Sequence, residues 1–357
     1  MNADQGLGVI VDKAIHSGDL ARDEIIALLS LEGADVQRLF SAADQVRKQY
    51  CGEGVHLRGL IEFSNICSRD CNYCGLRRGN RRIRRYRMTP QEIIDVSTDV
   101  VRKGLQTIVL QSGEDPWYTA ERMVEIIRGI KSQADCAVTL CIGERPYADY
   151  LAMKEAGADR YLLRHETSNP ELYHRLHPDM RLEDRVRCLR DLKAIGFQVG
   201  AGSMVGLPGQ TIEDLANDAL FIRDLEADMV GIGPFIPHPN TPLSDKPGGT
   251  LEMTLKMVAV VRIVTRNAHI PATTAVGSID PFGRKKALMA GANVVMPNYT
   301  PIEYRVNYEI YPNKRCLTED PSESRAWIEA MGRVVAEGPG HSLKSKSDLS
   351  DLSDLSD

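Results

Sequence analysis

From residue 57 onward the chain alternates two kinds of pattern: short apolar runs, and longer stretches whose apolar positions recur every three or four residues. The short runs, at 59–64, 106–111, 136–141, 160–164, 197–202, 228–232, 271–274 and 293–296, read as strands. The longer ones, near 90–103, 117–133, 147–157, 182–194, 211–225, 251–267 and 281–290, read as amphipathic helices between them. Thr89-Pro90-Gln91-Glu92 is a helix start, with a hydroxyl cap and proline at the first helical position. Gly104, Gly157, Gly196 and Gly291 stand where a helix would end before the next strand. Eight strands separated by helices predict an α/β fold, a (β/α)8 barrel of the TIM type. An open doubly wound sheet competes, but no G-x-G-x-x-G follows the first strand.

Residues 1–55 predict a helical layer, with Ile25, Ile26, Leu28, Leu29 and Leu31, then Val36, Leu39, Phe40 and Val46, on its apolar faces. The barrel is expected over 56–340, closed by a helix around Trp327, Ile328 and Met331. A Ser-Asp-Leu repeat without a packing period ends the chain, and 341–357 is expected to be disordered. With 357 residues and 43% apolar content there is material for one large barrel or two ordinary domains. A net charge of −5 argues against a nucleic-acid partner. No apolar stretch approaches the ~20 residues of a membrane span, and no signal peptide opens the chain. Eight cysteines without a disulfide-like framework suit a reducing cytoplasm.

The chemistry concentrates after the first strand, in Cys67-Ser68-Arg69-Asp70-Cys71-Asn72-Tyr73-Cys74. Three cysteines spaced C-x3-C-x2-C suit thiolates converging on a metal cluster better than disulfides. No fourth cysteine is near; the next is Cys136. A four-iron cubane held by three thiolates keeps one iron open, as a catalytic zinc keeps an open position. A zinc site lacking a ligand, or cysteines spaced by chance, are the plainer readings.

At these residues the chain resembles the radical S-adenosylmethionine (SAM) enzymes. The resemblance implies a [4Fe–4S] cluster whose open iron chelates the amino and carboxylate groups of SAM, and whose electron cleaves the sulfonium to a 5′-deoxyadenosyl radical. Tyr73 fits the aromatic that precedes the third cysteine.

In a barrel of this kind the chemistry belongs to loops after the strands. Strand 2 ends in Gln111-Ser112-Gly113-Glu114-Asp115, which resembles the family's Gly-Gly-Glu motif with serine for the first glycine. Strand 4 ends in Arg164-His165-Glu166-Thr167; two-residue spacing puts Arg164 and Glu166 on one face, with His165 toward the helices. Arg185, on the following helix, is a candidate cation for the SAM carboxylate. Cys136, Cys141, Cys188 and Cys51 read as core cysteines. Strand 5 runs into a glycine-rich stretch from Gly200 to Gly209, as expected of backbone pressed against a ligand. Seven arginines between Arg77 and Arg87 read as a loop that shields the cluster and meets an acidic partner, with nucleic acid as the other reading.

Several stretches narrow the resemblance: Ile61-Glu62-Phe63-Ser64-Asn65, Tyr86-Arg87-Met88-Thr89-Pro90, Gly206-Leu207-Pro208-Gly209-Gln210-Thr211, Gly231-Ile232-Gly233-Pro234-Phe235-Ile236-Pro237-His238-Pro239 and Ile270-Pro271-Ala272-Thr273-Thr274. As a set they resemble the HydE family of [FeFe]-hydrogenase maturases; methylornithine synthase and, further off, biotin synthase are relatives. The resemblance implies a role in assembling the diiron subcluster, with an iron–carbonyl–cyanide cysteine complex from HydG as substrate. It further implies HydF and a reductant such as ferredoxin or flavodoxin as partners. It gives Cys67, Cys71 and Cys74 as cluster ligands, and Tyr73, Gln111, Glu166, Arg185 and Met229 as SAM contacts. Thr139, Arg164, Thr273, Thr274, Met296 and Tyr308 would line the substrate end. A second cluster site of some relatives is not expected: Ser324 and Trp327 stand at +8 and +11 from Cys316. A methylornithine-synthase-like mutase remains the alternative enzyme. An iron–sulfur electron carrier and a nucleic-acid or scaffold protein remain the alternatives from other classes.

Overall fold

The computed structural model describes residues 3–314 and 321–344. Its strands, in chain order, are β1 Gly54–Leu57, β2 Gly59–Ser64, β3 Thr107–Ser112, β4 Ala137–Cys141, β5 Arg160–Leu162, β6 Gln198–Ala201, β7 Met204–Val205, β8 Met229–Val230, β9 Gly233–Pro234, β10 Val294–Val295 and β11 Val334–Val335. Six of them form one parallel sheet in the order β2-β3-β4-β5-β6-β8. Single parallel bridges carry the ring onward, from Met229 to His269, from Pro271 to Val294, and from Asn298 back to Leu60. The sheet closes, and the architecture is the (β/α)8 barrel.

The expected strand at 271–274 is the exception. Pro271 has no N–H to give a ladder, and the helix Thr274–Ile279 starts where the strand would have continued. The seventh position is therefore held by bridges alone, with Val230 N–H donating to His269 O at 2.9 Å and Ala272 N–H to Val294 O at 2.9 Å.

The helices follow from their own ends and faces. Thr89 caps the helix Pro90–Arg102 in a capping box with Glu92. This helix and those at Ala120–Gln133, Tyr147–Glu155 and Leu182–Ile195 bury one stripe each against β2 to β6. The helix Leu251–Thr265 differs, being buried at every position from Thr254 to Thr265. It lies between the barrel and the N-terminal helices Ala3–His16, Arg22–Leu29 and Ala34–Cys51, which is why it is apolar nearly all round. Its two buried cations satisfy backbone carbonyls: Arg262 bonds Gly291 O at 2.8 Å, and Lys256 bonds Leu29 O at 3.3 Å.

The amino end of the barrel is stoppered by the chain's own later residues. Arg160 bonds Pro339 O at 2.6 Å and Gly340 O at 2.8 Å; Arg58 bonds Gly340 O at 3.2 Å. His341 and Ser342, grouped with the tail by sequence, belong to this floor: His269 Nε2 lies 2.8 Å from His341 O, and Ser342 N–H donates to Gln198 at 2.8 Å. Residues 345–357 of the tail, and Cys316, lie outside the described residues. The loop that follows β2, with its three cysteines, stands at the opposite end, where the strands finish.

Candidate active site at the carboxyl ends of the strands

Strand β2 is buried along its whole length and delivers the cysteine loop to the mouth. The loop is anchored on both sides. Ser64 Oγ donates to Asp115 at 2.7 Å, Asn65 donates to Arg84 O at 2.8 Å and to Asn307 O at 2.6 Å, and Ser68 N–H donates to Glu114 O at 2.9 Å. Gly113 is required here by close approach: an added Cβ would lie 2.3 Å from Ile66 O and 2.8 Å from Cys67 Cβ. The glycine expected to approach a ligand presses first on the cysteine loop itself.

Cys67, Cys71 and Cys74 are half-buried free thiols. Burial pushes all three toward the neutral form, Cys74 up to about 12; Cys71 is pushed further by both other thiols and Cys74 by Cys67, whereas backbone hydrogen bonds at Arg69 and Glu114 pull Cys67 back. Three thiols on one eight-residue loop, all disfavoured as anions by burial, are a donor set that a cationic centre completes by displacing their protons. Among the described residues no three His, Cys, Asp or Glu side chains gather closely enough for a single metal ion. A four-iron cubane reaches thiolates over a wider span than one ion does, and a loop carrying three thiols suits it.

Around the loop the expected site residues fall into three groups. Tyr73, Glu166 and Arg185 cluster with the cysteines. Tyr73 OH lies 3.0 Å from His177 Nε2, with the rings edge to face at 5.4 Å. Arg185 donates to Glu144 at 2.8 Å and to Arg164 O at 3.0 Å. Glu144 is shared by Arg69 at 3.2 Å, which also bonds Glu114 at 2.5 Å. The Arg185 fork is thus partly committed to Glu144. A cleft of about 660 Å³ opens beside this network, lined by Arg69, Glu144, Arg145 and Asp179 among others.

Arg164 and Glu166 do meet, at 3.1 Å, but not by strand alternation. Strand β5 ends at Leu162, and Glu166 sits at φ 67°, a left-handed conformation. There its N–H donates to Gly202 O at 3.0 Å and its carbonyl accepts from Met204 N–H at 3.0 Å. Arg164 also donates to Ser203 O at 2.7 Å. His165 faces outward as expected, against Phe221 at 4.5 Å.

A second group lies deeper along the mouth. Gln111 donates to Tyr308 OH at 3.3 Å, and Tyr308 is buried under Lys314, whose Nζ is 4.6 Å from its ring centre. Thr273 Oγ donates to Ile232 O at 3.1 Å. Thr274 opens the helix Thr274–Ile279, and Met296 is half-buried just past β10. Thr139 Oγ, Ser203 Oγ and Arg164 Nε are buried without a hydrogen-bond partner. Buried polar atoms are rarely left so. Together these orphans mark where a polar ligand belongs.

The third group is Met229 alone. Its sulfur accepts from Arg58 at 2.9 Å, on the floor side and away from the cysteines. Cys141 differs from the core reading in the other direction. It is half-buried at the end of β4, and its thiol, pushed up to about 11 by burial, feels Arg164, Glu166 and Arg185. Cys136 and Cys188 do lie in the apolar core. Sequence reasoning gave no role to Arg69, Glu144, His177 or Ser203. A charged residue just past a strand end was the available signal for Glu144; nothing in the pattern singled out His177.

The radical SAM superfamily model matches residues 61–222. The [FeFe] hydrogenase maturase subunit HydE of Thermotoga maritima is 52% identical over 304 residues, covering 85% of this chain and 87% of the relative. The 3-methylornithine synthase of Methanosarcina barkeri is 32% identical over 84% of this chain and 86% of its own length. A crystal structure of methylornithine synthase superposes with a TM-score of 0.82 at 30% identity, covering 92% of this chain and 97% of that one. A structure of the [FeFe]-hydrogenase maturase HydG, at 18% identity and a TM-score of 0.82, shares the fold, covering 94% of this chain and 77% of its own. Identity of this degree over most of both chains settles the lineage: the chain belongs to the HydE family of hydrogenase maturases, within the radical SAM superfamily of enzymes.

Proposed function

We propose that the chain acts in assembly of the [FeFe]-hydrogenase diiron subcluster, with one [4Fe–4S] cluster held by Cys67, Cys71 and Cys74 and SAM as cosubstrate. The observation that carries this reading is the set of three crowded, burial-neutralised thiols beside buried polar atoms that lack partners. When bound, the cluster and SAM supply a 5′-deoxyadenosyl radical. Everything else falls to the chain. Tyr73, fixed by His177, walls one side; Glu166 and Gln111 offer hydrogen-bond acceptors; Arg185, held by Glu144, offers its remaining N–H groups to a carboxylate. Met229 is left out, because its sulfur is engaged by Arg58.

Thr139, Arg164, Thr273, Thr274, Met296 and Tyr308 form the substrate end, and an iron–carbonyl–cyanide cysteine complex is the substrate this family suggests. Arg164 suits such an anion, since its Nε is buried and unpartnered. HydG and HydF are the companion maturases, a ferredoxin or flavodoxin the reductant, and the cytoplasm the compartment. No helix among the described residues is long and apolar enough to cross a membrane.

The test is anaerobic reconstitution with iron and sulfide, then reduction with dithionite in the presence of SAM. Release of 5′-deoxyadenosine by the parent chain and its loss in Cys71→Ser is the expected result. No release from a protein carrying its full iron would overturn the reading.

A further inference from the structure

Seven arginines lie between Arg77 and Arg87, and the fold uses only some of them. Arg77 pairs with Asp70 at 2.7 Å, and Arg87 clamps the buried Asp115 at 2.7 and 2.9 Å. Arg85 spends its guanidinium on the carbonyls of Asn65, Leu76, Arg77 and Asn80, at 2.6 to 3.0 Å. Arg78 meets Asp179 at 3.0 Å, with both side chains largely exposed. Arg81, Arg82 and Arg84 are left. They are exposed, and among the described residues no carboxylate pairs with them; Arg82 bonds only the neutral amide of Asn240, at 3.1 Å.

These cations ride on the outer wall of the cysteine loop. Arg77 N–H donates to Cys74 O at 3.1 Å, Arg78 N–H to Arg69 O at 2.8 Å, and Asn80 Nδ2 to Gly75 O at 2.7 Å. A notch of about 390 Å³ separates this strap from residues 239–242. The strap is already fixed by Arg85 and Arg87, so the three unpaired charges add only self-repulsion to the fold. They stand out further on a chain whose net charge is −5.

We propose that the strap around Arg81, Arg82 and Arg84 is the docking face for a small acidic electron-carrier protein. The inference rests on the SAM-cleaving reading, which requires an electron from outside the chain. In the docked complex the carrier loses one electron and the cluster gains one; no bond, proton or group moves. Patch and carrier have opposite charge, so the strap selects the orientation that brings the carrier against the cysteine loop. RNA is the other polyanion that fits arginines, but no exposed aromatic lies among these three to stack a base.

The experiment compares the reconstituted parent with an Arg81→Glu/Arg82→Glu/Arg84→Glu variant and its all-lysine counterpart. Release of 5′-deoxyadenosine is driven either by reduced flavodoxin or by dithionite, and flavodoxin binding is measured directly. At low salt the glutamate variant is expected to lose about tenfold or more of the flavodoxin-driven rate and binding, and the lysine variant little. The dithionite-driven rate and the melting temperature should match the parent. The parent's flavodoxin-driven rate should fall toward the variant's as salt rises to about 1 M, where screening reaches ~3 Å. Unchanged flavodoxin binding and rate in the glutamate variant would overturn the proposal. So would retention of RNA by the parent, lost in the variant, with flavodoxin kinetics unaltered. Failure of the dithionite-driven reaction in the parent would sink the SAM-cleaving reading instead, and the binding arm would still decide whether the strap docks flavodoxin.

Discussion

Glu166 is a bulky acid at φ 67°, where glycine is the natural occupant. Holding a side chain there costs about 1–2 kcal/mol, and such strain concentrates at functional sites. Replacing Glu166 with glycine releases that cost and returns about 0.5–1 kcal/mol as backbone entropy of the unfolded chain. It also breaks the pair with Arg164, whose side chain is 28% exposed and keeps its bond to Ser203 O. The pair is therefore worth less than the ~3–5 kcal/mol of a fully buried one. The terms nearly cancel, and Glu166→Gly should melt within a few degrees of the parent, at about 2–4 °C per kcal/mol for a large domain.

Glu166→Ala loses the same pair but keeps the strain, so it should melt below Glu166→Gly by the equivalent of about 1 kcal/mol. Both should bind SAM at least about tenfold more weakly, a loss of ~1.4 kcal/mol. Thermal melts and SAM titrations of the reconstituted proteins read both quantities. Alanine melting as high as glycine would refute the strain argument. SAM affinity per folded molecule equal to the parent's would refute the functional one.

Serine at Cys67, Cys71 or Cys74 should abolish 5′-deoxyadenosine release, whereas Cys141→Ser, beside the site but outside the triad, should retain the cluster's visible absorbance. Iron and sulfide analysis should give about four of each per chain; near eight, halved by Cys316→Ser, would reveal a second cluster. Glu53 is held down to about 2 by hydrogen bonds from Lys48 and Arg47. A depressed carboxylate stabilises above its unfolded value and loses that as pH falls through its folded one. The stability gap between parent and Glu53→Gln, read by denaturant melts, should thus be full above pH ~5 and close toward pH 2.

Much of the barrel was legible because its signals are local. Seven of the eight strand ranges, the Thr89 cap and the helix-ending glycines depend on neighbours a few residues away. The seventh position was not, because Pro271 and Thr274 look β-compatible in a short window while Pro271 denies the ladder a donor. The cysteine triad was legible from spacing alone. The Arg164–Glu166 meeting was anticipated for a reason that fails: alternation needs a strand, and the pair forms because Glu166 turns left-handed beyond β5. Glu144, shared between Arg69 and Arg185 from opposite sides in the sequence, illustrates what no window can contain. Its role exists only once the loop after β2 and the helix Leu182–Ile195 are brought together.

The same logic explains how the mouth is closed. Lys314 reaches the buried Glu62 on β2, whose other oxygen accepts from Asn298 at 2.9 Å. Lys314 also covers the Tyr308 ring, and Tyr308 in turn bonds Gln111. The backbone between them is fastened to the cysteine loop, with Gly75 N–H donating to Ile310 O at 2.9 Å and Asn65 to Asn307 O. A lysine–glutamate pair taken out of water is weak evidence for stability, since desolvation offsets much of the attraction. What such a pair does fix is geometry: few other arrangements satisfy both charges. Residues 298–314 are thereby held at the mouth of the barrel by the same hydrogen-bonded assembly that carries the cysteines. Under the proposed radical chemistry the fixed geometry of this segment would count for more than its net stability, since excluding water from the reacting atoms needs a wall that does not move.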